Sequence, residues 1–288
     1  MTNAQYCAFL NAKASASDPL ALWNSNMSGT TSGGYGEGGI SRSGSGPYTY
    51  TVNAGMANQP VVFVTWYDTL RFANWLDNGQ GNGSTESGSY TLLGGTPTPS
   101  NYSTISRNPG AQWFLPNENE WYKAAYYDPT LNSGSGGYWG YPTWSNTAPI
   151  WELSTSTGPN PGSNSANFYD PALGFSVTGS TNVTQSQDYL TDVGAYPNAV
   201  SAYGTLDQGG DVFQWNEALI GSYRGLRGGD WGDSSADLAS SNRGHGDSPT
   251  DENADIGFRV AEIPEPGSLV MLLGFAVAAL LYYWRKHV

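Results

Sequence analysis

The sequence predicts a loop-rich α+β domain followed by a C-terminal transmembrane helix. Three observations carry this. Within the domain, helical periodicity is confined to three segments before Tyr127, and the rest alternates weakly or not at all. The chain holds 38 Gly and 17 Pro alongside 11 Trp and 19 Tyr. Aromatic packing on irregular chain must then do what a helical bundle does elsewhere. Finally, a polar, acidic chain ends on Ile263-Pro264-Glu265-Pro266-Gly267-Ser268, an apolar run over 269–284, and Arg285-Lys286-His287-Val288.

The first helix is expected over 2–14, capped by Thr2 or Asn3, with Tyr6, Phe9 and Leu10 on one face. Residues 28–58 are rich in Gly, Ser, Thr and Asn, and Tyr48, Tyr50 and Val52 alternate as one strand would. Residues 61–64 spell a short buried strand. A second helix follows over 66–78, with Trp66, Leu70, Ala73 and Leu76 inward and Gly79 ending it. Residues 79–110 form a polar insertion. Asn117 and Glu120 then make a capping-box pair ahead of Trp121, Ala124 and Ala125, which marks a third helix. After Tyr127 the chain spells turns and short strands. The domain spans 1–262 and the tail 263–288. A rise of about 1.5 Å per residue gives the apolar run roughly 24 Å, against a hydrocarbon core of roughly 30 Å. Tyr282, Tyr283 and Trp284 suit the interface, and Arg285 and Lys286 suit the cytoplasmic side. A buried core helix would need a polar face, which this run lacks.

Composition narrows the function. A net charge of −13 disfavours nucleic acid and anionic lipid and favours cations. Cys7 is the single cysteine, so no intrachain disulfide forms, and a buried apolar role suits it. With His245 and His287 alone, a three-histidine iron site is excluded. His245 reads as part of an exposed loop. Arg227 and Arg259 are expected to pair internally with Asp residues. The segment Tyr138-Trp139-Gly140-Tyr141-Pro142-Thr143-Trp144 is either a sugar-stacking platform or aromatic packing.

Six segments in order resemble the formylglycine-generating enzyme, or sulfatase-modifying factor, family. They are Thr2-Asn3-Ala4-Gln5-Tyr6; Val64-Thr65-Trp66-Tyr67-Asp68, running on to Phe72-Ala73-Asn74-Trp75-Leu76; Leu115-Pro116-Asn117-Glu118-Asn119-Glu120-Trp121; Gly210-Asp211-Val212-Phe213-Gln214-Trp215; Leu226-Arg227-Gly228-Gly229-Asp230-Trp231; and Gly257-Phe258-Arg259. The resemblance implies a variant of the C-type-lectin-like fold. The family enzyme oxidises a substrate cysteine with copper held by two thiolates, which soft Cu(I) requires. Those positions fall at about Asp233 and Leu238, so neither copper nor iron is expected. Two calcium sites carry over. One would use Asn167, the Phe168 carbonyl, Asp188 and the Leu190 carbonyl; the other Asp207, the Gly210 and Val212 carbonyls, and Gln214. The alternative for each set is a turn stabiliser. Met1 stands where the family has Val in Glu-Val-Thr-Asn-Ala-Gln-Tyr, which implies an upstream extension with a strand and a signal peptide.

The tail resembles the PEP-CTERM sorting signal, with Ile263-Pro264-Glu265-Pro266 standing where the signal has Val-Pro-Glu-Pro. This implies an exosortase partner, with Pro264, Glu265 and Pro266 as the recognised motif. A plain C-terminal anchor is the alternative. The expected protein is exported and held at the inner membrane by its tail. After processing it is displayed at the cell surface or in the extracellular matrix, and it is non-catalytic. Its expected ligands are exopolysaccharide or another surface protein. The alternative is an enzyme of the same family with an oxidoreductase activity of its own.

Overall fold

Thr2 sets the start of the first helix. In a computed structural model of the chain, which describes residues 1–29, 36–152 and 162–263, the Thr2 hydroxyl accepts the Gln5 amide and the Gln5 side chain accepts the Thr2 amide. Two free N–H groups are thereby satisfied reciprocally. The resulting helix α1 (Asn3–Lys13) buries Tyr6, Phe9 and Leu10 as expected. Its neighbour in space is a hairpin of β1 (Ile40–Ser43) and β2 (Thr49–Val52), paired antiparallel with Ile40 opposite Val52.

Residues 61–64 depart from the expected strand. All four are buried, but Phe63 has a φ of 60°, which breaks the extended run that a ladder needs. Their amides bond singly instead, Val61 to the Met1 carbonyl and Phe63 to the Asn253 carbonyl. Helix α2 (Trp66–Asp77) follows, capped by a Thr65–Asp68 box, and Gly79 closes it with a φ of 77°. It is buried on nearly every side: Arg71 and Asn74 are as enclosed as Leu70. Arg71 donates to Glu86 at 2.8 Å and to the Pro97 and Thr96 carbonyls. Asn74 donates to the carbonyls of Thr85 and Tyr90 and accepts the Tyr90 amide. The polar insertion is therefore fastened to the helix by buried polar side chains, each with partners.

Strand β3 (Trp113–Phe114) leads to α3 (Glu118–Tyr126), whose Asn117–Glu120 capping box is the expected one. Three two-stranded pairs come next. β4 (Tyr127–Asp128) pairs with β5 (Gly137–Tyr138), β6 (Ile150–Trp151) runs parallel to β7 (Ser165–Ala166), and β8 (Tyr169–Asp170) pairs with β9 (Gly174–Phe175). The main sheet comes last in sequence: β10 (Phe213–Ile220), β11 (Tyr223–Arg227), β12 (Gly246–Asp247) and β13 (Ile256–Phe258), in the spatial order β12-β11-β10-β13. β14 (Ala261–Glu262) returns to pair with β3. β10 ties the helices to the sheet through indoles. Trp215 donates to the Val64 carbonyl, Trp66 to the Asn216 carbonyl, and Trp121 to Gln214. Buried Trp residues pack as apolar mass and still need a partner for the N–H.

The observed class is α+β, with short helices and small sheets. Among the described residues no helix is long and apolar enough to cross a membrane. The expected transmembrane tail and Pro264, Glu265 and Pro266 lie outside the described residues.

Candidate functional site

Asp128 at the end of β4 organises the aromatic segment. Its Oδ1 accepts the amide and hydroxyl of Thr130, and its Oδ2 accepts the Trp139 indole at 3.1 Å and the Trp144 indole at 2.8 Å. The Thr130 hydroxyl foremost, then the Thr130 amide and the two indoles, hold this carboxyl down to about 2 against the effect of desolvation. Trp144 sits at a φ of 56° with half of its surface exposed. Tyr138 is also exposed and packs against Tyr122 and Tyr127. The segment therefore combines packing with two presented rings. Asp128 has a local sequence signal, an acidic residue two before Thr130 in a turn. Its two indole partners have none.

The positions that the resemblance assigns to copper thiolates differ in character. Leu238 is fully buried against Ala166 and Phe168. Asp233 lies among Asp230, Asp237 and Asp255, and burial followed by the Asp237 charge raises its carboxyl. Asp230 is raised by burial and by Asp233 and Asp255. Cys7 is buried in α1 as a free thiol, pushed up by desolvation. His245 is partly exposed, as expected, and rests on the Phe213 ring at 5.1 Å.

The two calcium sets lie side by side. Gly210 crosses so near Asn167 that a Cβ would stand 2.1 Å from the Asn167 carbonyl oxygen, and its φ is 78°, so only glycine fits there. In the first set, Asn167 Nδ2 donates to the Tyr189 carbonyl and to Asp211, while its Oδ1 is buried without a donor. Asp188 accepts from Gln59 at 2.6 Å and from the Leu190 amide, and burial raises it. The Phe168 carbonyl accepts the Ser176 hydroxyl. Glu37, which is outside the set that the resemblance assigns, is fully buried with both carboxylate oxygens unpartnered. The backbone beside it, at Gly36, abuts Gln187 and Asp188. Burial pushes Glu37 up to about 7, and the Asp188 charge adds to this. A lone acid inside the glycine run 33–39 was its sequence signal. Orphaned buried oxygens at Asn167 and Glu37 are what a hard cation would satisfy.

The second set does not fit an ion. Gln214 Oε1 accepts the Trp121 indole at 2.8 Å and Arg259 Nε at 2.5 Å, while its amide donates to the Asp207 carbonyl. Arg259 also donates to the carbonyls of Leu206 and Asp207. The guanidinium is the cation here, serving an amide and two carbonyls rather than the Asp side chain expected from sequence. Arg227 likewise pairs with Glu118, not with an Asp. Asp207 accepts the Gly194 amide. No three of the described His, Cys, Asp and Glu side chains converge as a metal cluster. Any ion at the first set would draw on amide and carbonyl oxygens as well as carboxylates.

No curated protein shows significant similarity to the chain. Among solved structures it is similar to Treponema denticola variable protein 1, at 22% identity over 74% of this chain and 75% of that one, with a TM-score of 0.47. It is similar to CarF at 22% identity over 91% and 84%, with a TM-score of 0.48. PvdO from Pseudomonas aeruginosa shares 18% identity over 78% and 71%, with a TM-score of 0.42. The model of the sulfatase-modifying factor enzyme 1-like domain matches residues 1–263, and the chain belongs to that family.

Proposed function

We propose that the chain is an exported, non-catalytic surface or matrix protein on a formylglycine-generating-enzyme-like scaffold, binding glycan or protein. One observation carries the reading. The positions of the family's copper thiolates fall at about Asp233 and Leu238, and Leu238 is fully buried in a cluster with Ala166 and Phe168. Carboxylate and hydrocarbon cannot hold Cu(I) as thiolates do. Sorting is assigned to an exosortase acting at Pro264-Glu265-Pro266, with the run 269–284 as temporary anchor in the inner membrane. Calcium is assigned to the first set alone, through Asn167, Phe168, Asp188 and Leu190, with Glu37 alongside. Its chemistry is structural: it would neutralise buried oxygens and pin the loop carrying Asp188 to the segment carrying Asn167.

The test is incubation of the purified protein with copper and a sulfatase-type cysteine peptide, followed by mass analysis. The peptide is expected to emerge with its thiol intact. Conversion of that cysteine to an aldehyde overturns the reading.

A further inference from the structure

The aromatic segment opens onto a second feature, a cleft of about 230 Å³. Trp144 lines it together with Thr143, Ser145, Ser163, Asn164, Asn198 and Val200. Among the described residues no charged side chain lines it. We propose that this cleft binds one ring of a neutral saccharide, with the Trp144 indole as the stacking face. The proposal rests on the binding-module reading above and names its site and ligand class.

Three independent features support it. The first is preorganisation. A bulky residue at positive φ is an outlier that persists only where its surroundings hold it, and Trp144 has a φ of 56°. Its indole N–H is already spent on Asp128 at 2.8 Å, which also holds Trp139. The ring is thus fixed, and what remains available is its face. Aromatic faces are electron-rich and attract the polarised C–H bonds on one side of a sugar ring. A fixed ring also loses little entropy on binding.

The second feature is the lining. Ligand sites place a few polar groups around an apolar surface to set orientation. Here those groups are hydroxyls and amides, which both donate and accept, as sugar hydroxyls do. They are also braced. Thr143 donates to Asn164 Oδ1 at 2.5 Å, and the Asn164 amide donates to the Thr147 and Ala148 carbonyls. Ser145 donates to the Thr147 carbonyl and accepts the Thr147 amide. A peptide would instead call for an apolar groove or an unpaired strand edge.

The third feature is charge. The chain carries −13 in all and the lining offers no cation, so a uronate or sulfated sugar meets repulsion without compensation. Selection is for the uncharged ring.

The experiment uses the full chain in a sugar-free detergent. Neutral hexasaccharides of glucose, mannose, galactose and xylose are titrated while the indole N–H resonances are followed, with oligogalacturonate as the charged counterpart. At least one neutral hexasaccharide should bind with a dissociation constant below about 10 mM, and Trp144→Ala should weaken it at least tenfold, roughly. Trp144→Phe, which keeps a ring face, should retain part of the binding. Ser163→Trp adds bulk at an exposed lining residue, so it should block binding with an unchanged melting temperature. No binding by any of the four neutral sugars overturns the proposal. So does oligogalacturonate binding as tightly as they do, or a proline-rich peptide binding at Trp144 in their place. Sugar binding that survives both Trp144→Ala and Ser163→Trp overturns this site while leaving the glycan-binding reading intact. Aldehyde formation on the cysteine peptide would fail that reading whatever the sugars do.

Discussion

At the scale of single residues, this fold depends on buried polar side chains held by specific partners. Arg71 has no exposed side-chain surface and reaches Asp68 at 3.7 Å and Glu86 at 2.8 Å. Removing one member of such a set leaves the others buried and unpaired, which costs far more than the pair contributes in water. Asp188 is the residue where this logic meets the calcium proposal. It accepts from Gln59 and from the Leu190 amide, near three orphaned oxygens, one at Asn167 and two at Glu37. Thermal melts with calcium and with chelator should differ by several degrees, because an ion that binds only the native state stabilises it by mass action. Asp188→Ala should remove most of that difference. Identical melts for the unmutated protein would return Asn167 and Asp188 to the role of turn formers.

At the scale of elements, the three long helices start the same way. Thr2 with Gln5, Thr65 with Asp68, and Asn117 with Glu120 each form a reciprocal capping box. The box matters most at α2, because the helix is enclosed and its first turn has little access to water. Thr65 gives its hydroxyl to Asp68 at 2.6 Å and takes the Asp68 amide at 3.0 Å. Thr65→Ala should destabilise the domain by about 1–2 kcal/mol in denaturant titration, while Thr65→Ser should recover most of the loss. A loss below about 0.3 kcal/mol would show that tertiary packing alone positions α2.

At the scale of the whole molecule, burial of acids sets the pH response. Burial pushes Glu37, Asp68 and Asp211 each up to about 7. Each folded-state value lies above the ordinary carboxylate range, so the native state keeps protons that the unfolded chain has released. Stability therefore falls as pH rises from the ordinary range, near 4, to about 7. Hydrogen bonding lowers Asp128, most of all from Thr130, and Arg107 and Asn117 lower Glu120 against the effect of burial. These groups act oppositely and withdraw stability below the same range. In chelator, the melting temperature should peak between about pH 4 and 5 and drop by on the order of 5 °C or more by pH 8. A melting temperature that climbs from pH 5 to pH 8 would mean that these acids ionise in the folded state at their ordinary values.

The α+β class of the domain and its family are legible in the sequence, since both rest on local patterns. The three helices announce themselves through Thr2, Asn117, Glu120 and the apolar spacing of Tyr6, Phe9 and Trp66, and the six ordered motifs place the chain in its family. The expectation that copper is not held is equally local, because it rests only on the residues at about positions 233 and 238. What the tertiary structure decided are the long-range pairings. The run 61–64 has the composition of a strand, yet the left-handed Phe63 denies it a ladder. β10 gives no clear strand signal because buried Gln214 and Asn216 interrupt its apolar pattern; Gln214 is engaged by Trp121 and Arg259, and Asn216 accepts the Ala218 amide while its own amide nitrogen is buried without a partner. The second calcium set reads well in sequence, but in space Arg259, 45 residues on, donates to the Gln214 side-chain oxygen. Trp144 reads in sequence as either a stacking surface or a packing aromatic, and it is Asp128, 16 residues earlier, that holds its indole while half of the residue stays exposed. Sequence fixes what each residue can offer locally. Which partner takes the offer depends on chain closure, and that is decided only when distant segments meet.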